Sequence, residues 1–220
     1  MRADLESIGE QARARLGAMH LAREDGIARC RTVIRASGLA IRAIHRLDPV
    51  EYKAQVEAAE LALRQAQEAV SPYPRIAHAG FLHDAEKEYA EARLTAALVN
   101  GSEACDADEL GVGVPAWFNG LAEAASELRR HLLDRLREGS EERAINLLRA
   151  MEDVYDLLVA IDYPDAVNGG LRRATDALRA VLERSRADVT TTVLQSRLRA
   201  ALESHQTMQE GPGHSQAALT

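Results

Sequence analysis

Cysteine, proline and the aromatic residues are scarce in this chain: two cysteines, six prolines, one tryptophan and two phenylalanines are spread over 220 residues. Cys30 and Cys105 stand far apart and in no paired motif. That excludes a disulfide framework and fits a reducing, cytoplasmic compartment. No apolar run approaches the roughly 20 residues that a membrane-spanning helix needs. The charged start, MRADLESIGEQARARLG, lacks the apolar centre of a secretory signal. The reading is therefore a soluble intracellular protein. There is no glycine-rich phosphate loop and no CxxC, and neither Ser126 nor Ser140 has the His/Asp arrangement of an activated nucleophile. Basic residues are in deficit, 27 against 34 acidic ones, for a net charge of −7. A uniformly acidic surface repels nucleic acid, so any such partner has to meet a local basic patch.

What fills the chain instead is Ala, Leu, Arg and Glu, all strong helix formers, and the fold class that follows is all-α. Residues 3–47 hold no proline and repeat Val33, Ile34, Ile41 and Ile44 at helical spacing, which predicts one long helix with a candidate break near Gly26. Asp48-Pro49 ends it and starts a second helix to about Val70. Two prolines in SPYPR (71–75) stop that one. A third helix spans about 76–99 and is capped by Asn100-Gly101. A short turn is expected at 106–110, then a helix from Pro115 to about Glu138, another from Ser140 to about 161–164, a break at Asn168-Gly169-Gly170, and a last helix over about 171–205. The expected architecture is a single bundle of about six to seven helices over residues 1–205, followed by a polar, Gly-rich, disordered tail over 206–220.

The stretch EKEYAEARL (86–94) carries Glu88 and Glu91 on the flank of a core stripe formed by Phe81, Ala85, Tyr89, Ala92, Ala96 and Val99. Together with Asp84 they put like charges on one helical face, which costs a few tenths of a kcal/mol, about 0.2–0.5 per pair. A solvated face explains one such pair; a bound cation reverses the sign of the effect. In the 115–138 helix, Leu121, Ala125, Leu128, Leu132 and Leu136 form the core stripe. Glu123 and Glu127 lie roughly opposite, with Asn119, Arg130 and Asp134. Periodicity alone makes that a solvated face, or one that meets another helix or subunit. Were the two pairs to meet, four carboxylates would converge, the donor set of a hard cation such as Mg2+ or Mn2+. No Glu has a His three residues later, which weakens a ferritin-like di-iron reading.

The first helix has no acidic residue between Gly26 and Leu47, and Arg31, Arg35, Arg42 and Arg46 fall on one face with His45 adjacent. Two readings stand: salt bridges to Glu51, Glu57, Glu60 and Glu68 of the second helix, or a phosphate-binding stripe for a nucleic-acid backbone. His78, His83 and His131 are weaker candidates, read as structural. Trp117-Phe118 reads as an anchor at a helix start or an interface.

RASGLAIRAIHR (35–46), AGFLHDAEKEYAEA (79–92), FNGLAEAASELRR (118–130) and YDLLVAIDYPDAVNGGLRRATDALRAVLERSRAD (155–188) together resemble the translin family, in consistent order over about residues 20–195. The similarity is nearest to its archaeal and bacterial members and its translin-associated factor X branch. The resemblance implies a bundle of about seven helices that assembles into hollow oligomers, commonly octamers, and binds single-stranded RNA and DNA. It also implies metal-dependent endoribonuclease activity, with Glu88, Glu91, Glu123 and Glu127 as the catalytic and metal-holding set. One departure is Glu123, where the eukaryotic nuclease branch has Asp. Translin subunits without the full acidic set are binders, so the alternative is a non-catalytic RNA- or DNA-binding shell. A purely structural helical oligomer is the third reading. Arg31, His45 and Arg46 match positions that recur in the family's first helix, and a nucleic-acid role for Arg31, Arg35, Arg42, His45 and Arg46 rests on the stripe.

Overall fold

Apolar residues recurring at helical spacing, punctuated by proline and glycine, give nine helices and no strand among residues 2–209, the part of the chain that the computed structural model describes. Six are long: α1 (Arg2–His45), α2 (Pro49–Val70), α4 (Phe81–Asn100), α6 (Val114–Arg137), α7 (Glu141–Val159) and α9 (Leu171–Gln209). Three are single turns: α3 (Pro74–Ala77), α5 (Ala107–Leu110) and α8 (Asp165–Asn168). The expected six to seven helices thus match the long elements and one short turn. The others are turns inside segments read as a stop and a break. Pro74 sits in the first turn of α3, where its missing N–H costs nothing. α9 runs on through 206–209, and residues 210–220 of the expected tail lie outside the described residues.

The punctuation works as its chemistry requires. Asp48 caps α2, its carboxylate accepting the Glu51 N–H at 3.0 Å. Gly101 closes α4 at φ 64°, a left-handed conformation that glycine adopts without strain. Asp106 and Glu109 form a reciprocal capping box on α5. At Asn168-Gly169-Gly170 the Asn168 side-chain oxygen accepts from Gly170 N and Leu171 N, so the break is itself the start of α9. Ser140 precedes α7 but makes no side-chain capping bond.

The first helix does not break at Gly26. A Cβ there would lie 2.7 Å from Val70 and 3.4 Å from Phe81, so the glycine lets α1 pass over the end of α2 and the start of α4. Alanine dominates the core: Ala59, Ala66, Ala85, Ala90, Ala124 and Ala125 are fully buried, with Tyr89 the one large aromatic among the most buried side chains. Small residues bring helix axes close, which is how a chain poor in aromatics fills its interior. α6 sits centrally, packed against α4, α7 and α9, while α1 lies on α2 and α4. The N-terminal end of α1 and the C-terminal end of α9 extend past this core. Leu5, Ile8 and Leu16 of α1 and Leu194, Leu198 and Leu202 of α9 are exposed. No helix among the described residues is long and apolar enough to cross a membrane.

Candidate carboxylate metal centre

The site is built on the crossing of α4 and α6, and its closest point is Gly120. A Cβ on Gly120 would lie 2.8 Å from the Lys87 carbonyl oxygen, 2.9 Å from Ala90 Cβ and 3.0 Å from Glu91 N. One turn on, Ala124 is fully buried. The face of α6 read as solvated therefore packs against α4, with Asn119 buried and Glu123 and Glu127 only half-exposed. The periodicity ranked faces by apolarity, whereas here side-chain smallness decides which face a neighbouring helix can reach.

That crossing brings Glu88, Glu91 and Glu123 together, one oxygen of each lying within 4.8 Å of the others. Oxygens around one Mg2+ at its usual bond length stand about 3–4 Å apart, so a small side-chain adjustment closes the set on an ion. Three carboxylates and no His or Cys suit Mg2+ or Mn2+ better than Zn2+. Glu91 is 7% exposed. Burial pushes its carboxyl up to about 9, helped by the charges of Glu123 and Glu88, a shared hydrogen bond with Glu123, and the charge of Glu127. Burial and the neighbouring carboxylates thus favour the protonated form of Glu91 while no divalent ion is bound.

A lysine already sits in the cluster. Lys87 Nζ donates to both Glu123 oxygens, at 2.8 and 2.9 Å, and lies 3.3 Å from Glu88 Oε1. Burial pulls its pKa down, but the hydrogen bonds and charges of Glu123 and Glu88 outweigh it and the net direction is upward. Beside it runs a groove of about 430 Å³ lined by His83, Lys87, Asn119, Glu123 and Arg173.

Glu127 faces this cluster without belonging to the group of three. Its Oε2 is 2.7 Å from His45 Nε2, and His45 Nδ1 is 3.0 Å from His131 Nε2. Burial, then the neighbouring His45, lowers the His131 pKa to about 4, with Arg135 and Arg130 adding to this and Asp134 opposing it. His131 is thus neutral at pH 7, and His45 is clamped between a carboxylate and a neutral imidazole. His45 does not share the exposure of the arginine stripe: its side chain is 6% exposed. Arg31, Arg35, Arg42 and Arg46 are exposed, and their side chains make no ion pair or hydrogen bond among the described residues. Among the second-helix glutamates, Glu51 accepts from Gln55, Glu57 pairs with Lys53 and Glu60 with Arg64. The sequence reading passed over Lys87 and the His45–Glu127–His131 chain. Lys87 stands four residues before Glu91, and His131 four after Glu127, spacings that put Lys87 on the helical face of Glu91 and His131 on that of Glu127. Trp117 does anchor a helix start, its indole N–H donating to the Cys105 carbonyl at 2.9 Å.

No protein-family model matches the chain. An uncharacterized protein of Methanocaldococcus jannaschii is 26% identical over 183 residues, 82% of this chain and 81% of that protein. Two solved structures of AfC3PO, one of them a complex with duplex RNA, are 30% identical with TM-scores of 0.77, covering 84% of this chain and 96% and 97% of theirs. A structure of apo-NeC3PO, 19% identical with a TM-score of 0.73 over 86% of this chain and 96% of its own, shares the fold.

Proposed function

The chain belongs to the translin family, and from that premise we propose that it is a Mg2+- or Mn2+-dependent endoribonuclease that binds single-stranded or short structured RNA and cuts its phosphodiesters. The observation that carries this reading is the convergence of Glu88, Glu91 and Glu123 from two helices, one of them buried. A buried carboxylate such as Glu91 is costly unless it serves a charge, and a divalent ion is the charge these oxygens suit. When bound, the ion supplies a polarised phosphate and an activated water. Glu88, Glu91 and Glu123 hold and orient it. Glu127 is aimed from the next turn of α6, its carboxylate fixed by His45. Arg31, Arg35, Arg42 and Arg46 bind backbone phosphates by charge, so binding is salt-sensitive and weakly selective for sequence. The duplex-RNA complex of the 30% identical relative supports an RNA partner.

The proposed assembly is a homo-octamer in the cytoplasm, supported by the exposed Leu194, Leu198 and Leu202, which recur every four residues on α9. The Lys87–Glu123 pair favours a second reading, a non-catalytic RNA-holding shell whose carboxylates are neutralised from within. Labelled single-stranded RNA incubated with the protein in Mg2+, Mn2+ or EDTA separates the two. The nuclease cuts in either metal and not in EDTA, and a Glu88→Gln, Glu91→Gln variant binds RNA without cutting. Cutting by that variant at the wild-type rate removes the assigned site.

A further inference from the structure

Lys87 already brings a positive charge to the carboxylate cluster. Its ammonium contacts both oxygens of Glu123 and one of Glu88, two of the three carboxylates that converge. The two contacts to Glu123 are short and charge-assisted, so the ammonium competes with a divalent ion for the negative charge of the same carboxylate. The lysine is not trapped there. Its side chain is 21% exposed and lines the groove of about 430 Å³ that also holds His83 and Arg173, with Asp84 and Asp165 beside them. Arg173 is exposed, and its guanidinium makes no ion pair or hydrogen bond among the described residues. The groove therefore offers room for the ammonium and a second, unpaired cation next to it.

We propose that Lys87 is the built-in counter-ion of the carboxylate cluster: a divalent ion loads by displacing its ammonium into the adjoining groove, where it joins Arg173 in binding a phosphate of the RNA. The inference rests on the nuclease reading and deepens it. It makes metal loading and substrate binding mutually supporting, since the ion frees the positive charge that the next phosphate meets. In the metal-free protein the same lysine keeps the cluster from repelling itself apart. No bond is made or broken in this exchange, only ion pairs.

The test is a calorimetric titration of Mn2+ into the full-length protein without RNA, in the wild type and in Lys87→Met, Lys87→Gln and Lys87→Arg. Removing one positive charge in contact with the ligands tightens Mn2+ binding by about tenfold or more in Lys87→Met and Lys87→Gln, given the strength of a unit charge at this range in a half-buried site. Lys87→Arg keeps the charge and keeps the wild-type affinity. At saturating Mn2+, Lys87→Met and Lys87→Gln bind a short single-stranded RNA more weakly than the wild type does, with a shallower salt dependence. Equal Mn2+ affinity in Lys87→Met, Lys87→Gln and wild type overturns the proposal while leaving the metal site in place. Absence of saturable Mn2+ binding in all four proteins overturns the metal reading itself, and the displacement with it.

Discussion

Gly120 of α6 rests against the main chain of Lys87 on α4, so close that a methyl group at position 120 would stand 2.8 Å from the Lys87 carbonyl oxygen. The hydrogen that glycine carries there sets the separation of the two helices, and that separation sets whether Glu123 can reach Glu88 and Glu91. Gly120→Ala gains about 1 kcal/mol of helix propensity but forces backbone against backbone, an overpacking that costs about 1–3 kcal/mol. The expected outcome in denaturant unfolding is a less stable protein, with weaker Mn2+ binding because the ligands are pushed apart. A more stable Gly120→Ala variant with unchanged Mn2+ affinity shows that the crossing does not build the site.

Glu91 makes the metal-free protein pH-sensitive. Burial, with the charges of Glu123 and Glu88, lifts its carboxyl from the ordinary 4.5 to about 9 in the folded chain. Between those values the folded chain carries a proton that the unfolded chain has lost, so this group's contribution to stability falls as pH rises through the window and levels off above about 9. Unfolding in EDTA across that range shows this downward slope in the wild type and not in Glu91→Gln. A divalent ion takes the place of the proton, so Mn2+ affinity climbs about tenfold per pH unit within the window. A pH-independent affinity contradicts the buried, protonated Glu91.

The His45 side chain is buried against Glu127, apart from the exposed arginine stripe. Its ring lies between Glu127 Oε2 at 2.7 Å and His131 Nε2 at 3.0 Å. His45→Ala strips a donor from a carboxylate and a partner from a buried imidazole, costing about 1–3 kcal/mol in unfolding measurements. It lowers the cleavage rate but leaves the salt slope of RNA binding unchanged. A shallower slope in His45→Ala assigns the imidazole to the backbone contact instead.

The arginine stripe has the opposite signature. Arg35 and Arg42 are exposed and unpaired among the described residues, so replacing both with Ala leaves stability within about 0.5 kcal/mol. RNA binding weakens and its log–log salt slope falls by about 0.7 for each lost phosphate contact on single strands. Unchanged affinity and slope in the double variant detach the stripe from nucleic acid.

The helices were legible because their signals are local. Proline at 49, glycine at 101 and 139, and the Asp48 and Asp106 caps act within a turn, and the apolar period persists over the long helices. The carboxylates of α4 were legible in part, since Glu91 sits on the edge of a stripe that includes Tyr89. Those of α6 were legible only through the family resemblance, and not through periodicity. Periodicity reports which face is most apolar, and a central helix packed by α4, α7 and α9 buries faces that carry no large apolar residue. Ala116, Gly120 and Ala124, one turn apart and all buried, are the pattern that marked the second contact face. His45 followed the arginines as a neighbour in sequence, yet its ring turns inward to a residue 86 positions away, a pairing that only the packed fold determines.

Mn2+ titrated by calorimetry into the wild type and into Glu88→Gln, Glu91→Gln and Glu123→Gln measures the shared ion itself. Saturable binding in the wild type, abolished or weakened about a hundredfold or more by each single substitution as for removal of a charged ligand, is the predicted result. Wild-type binding that survives all three substitutions, or no saturable binding at all, contradicts a divalent ion held between α4 and α6.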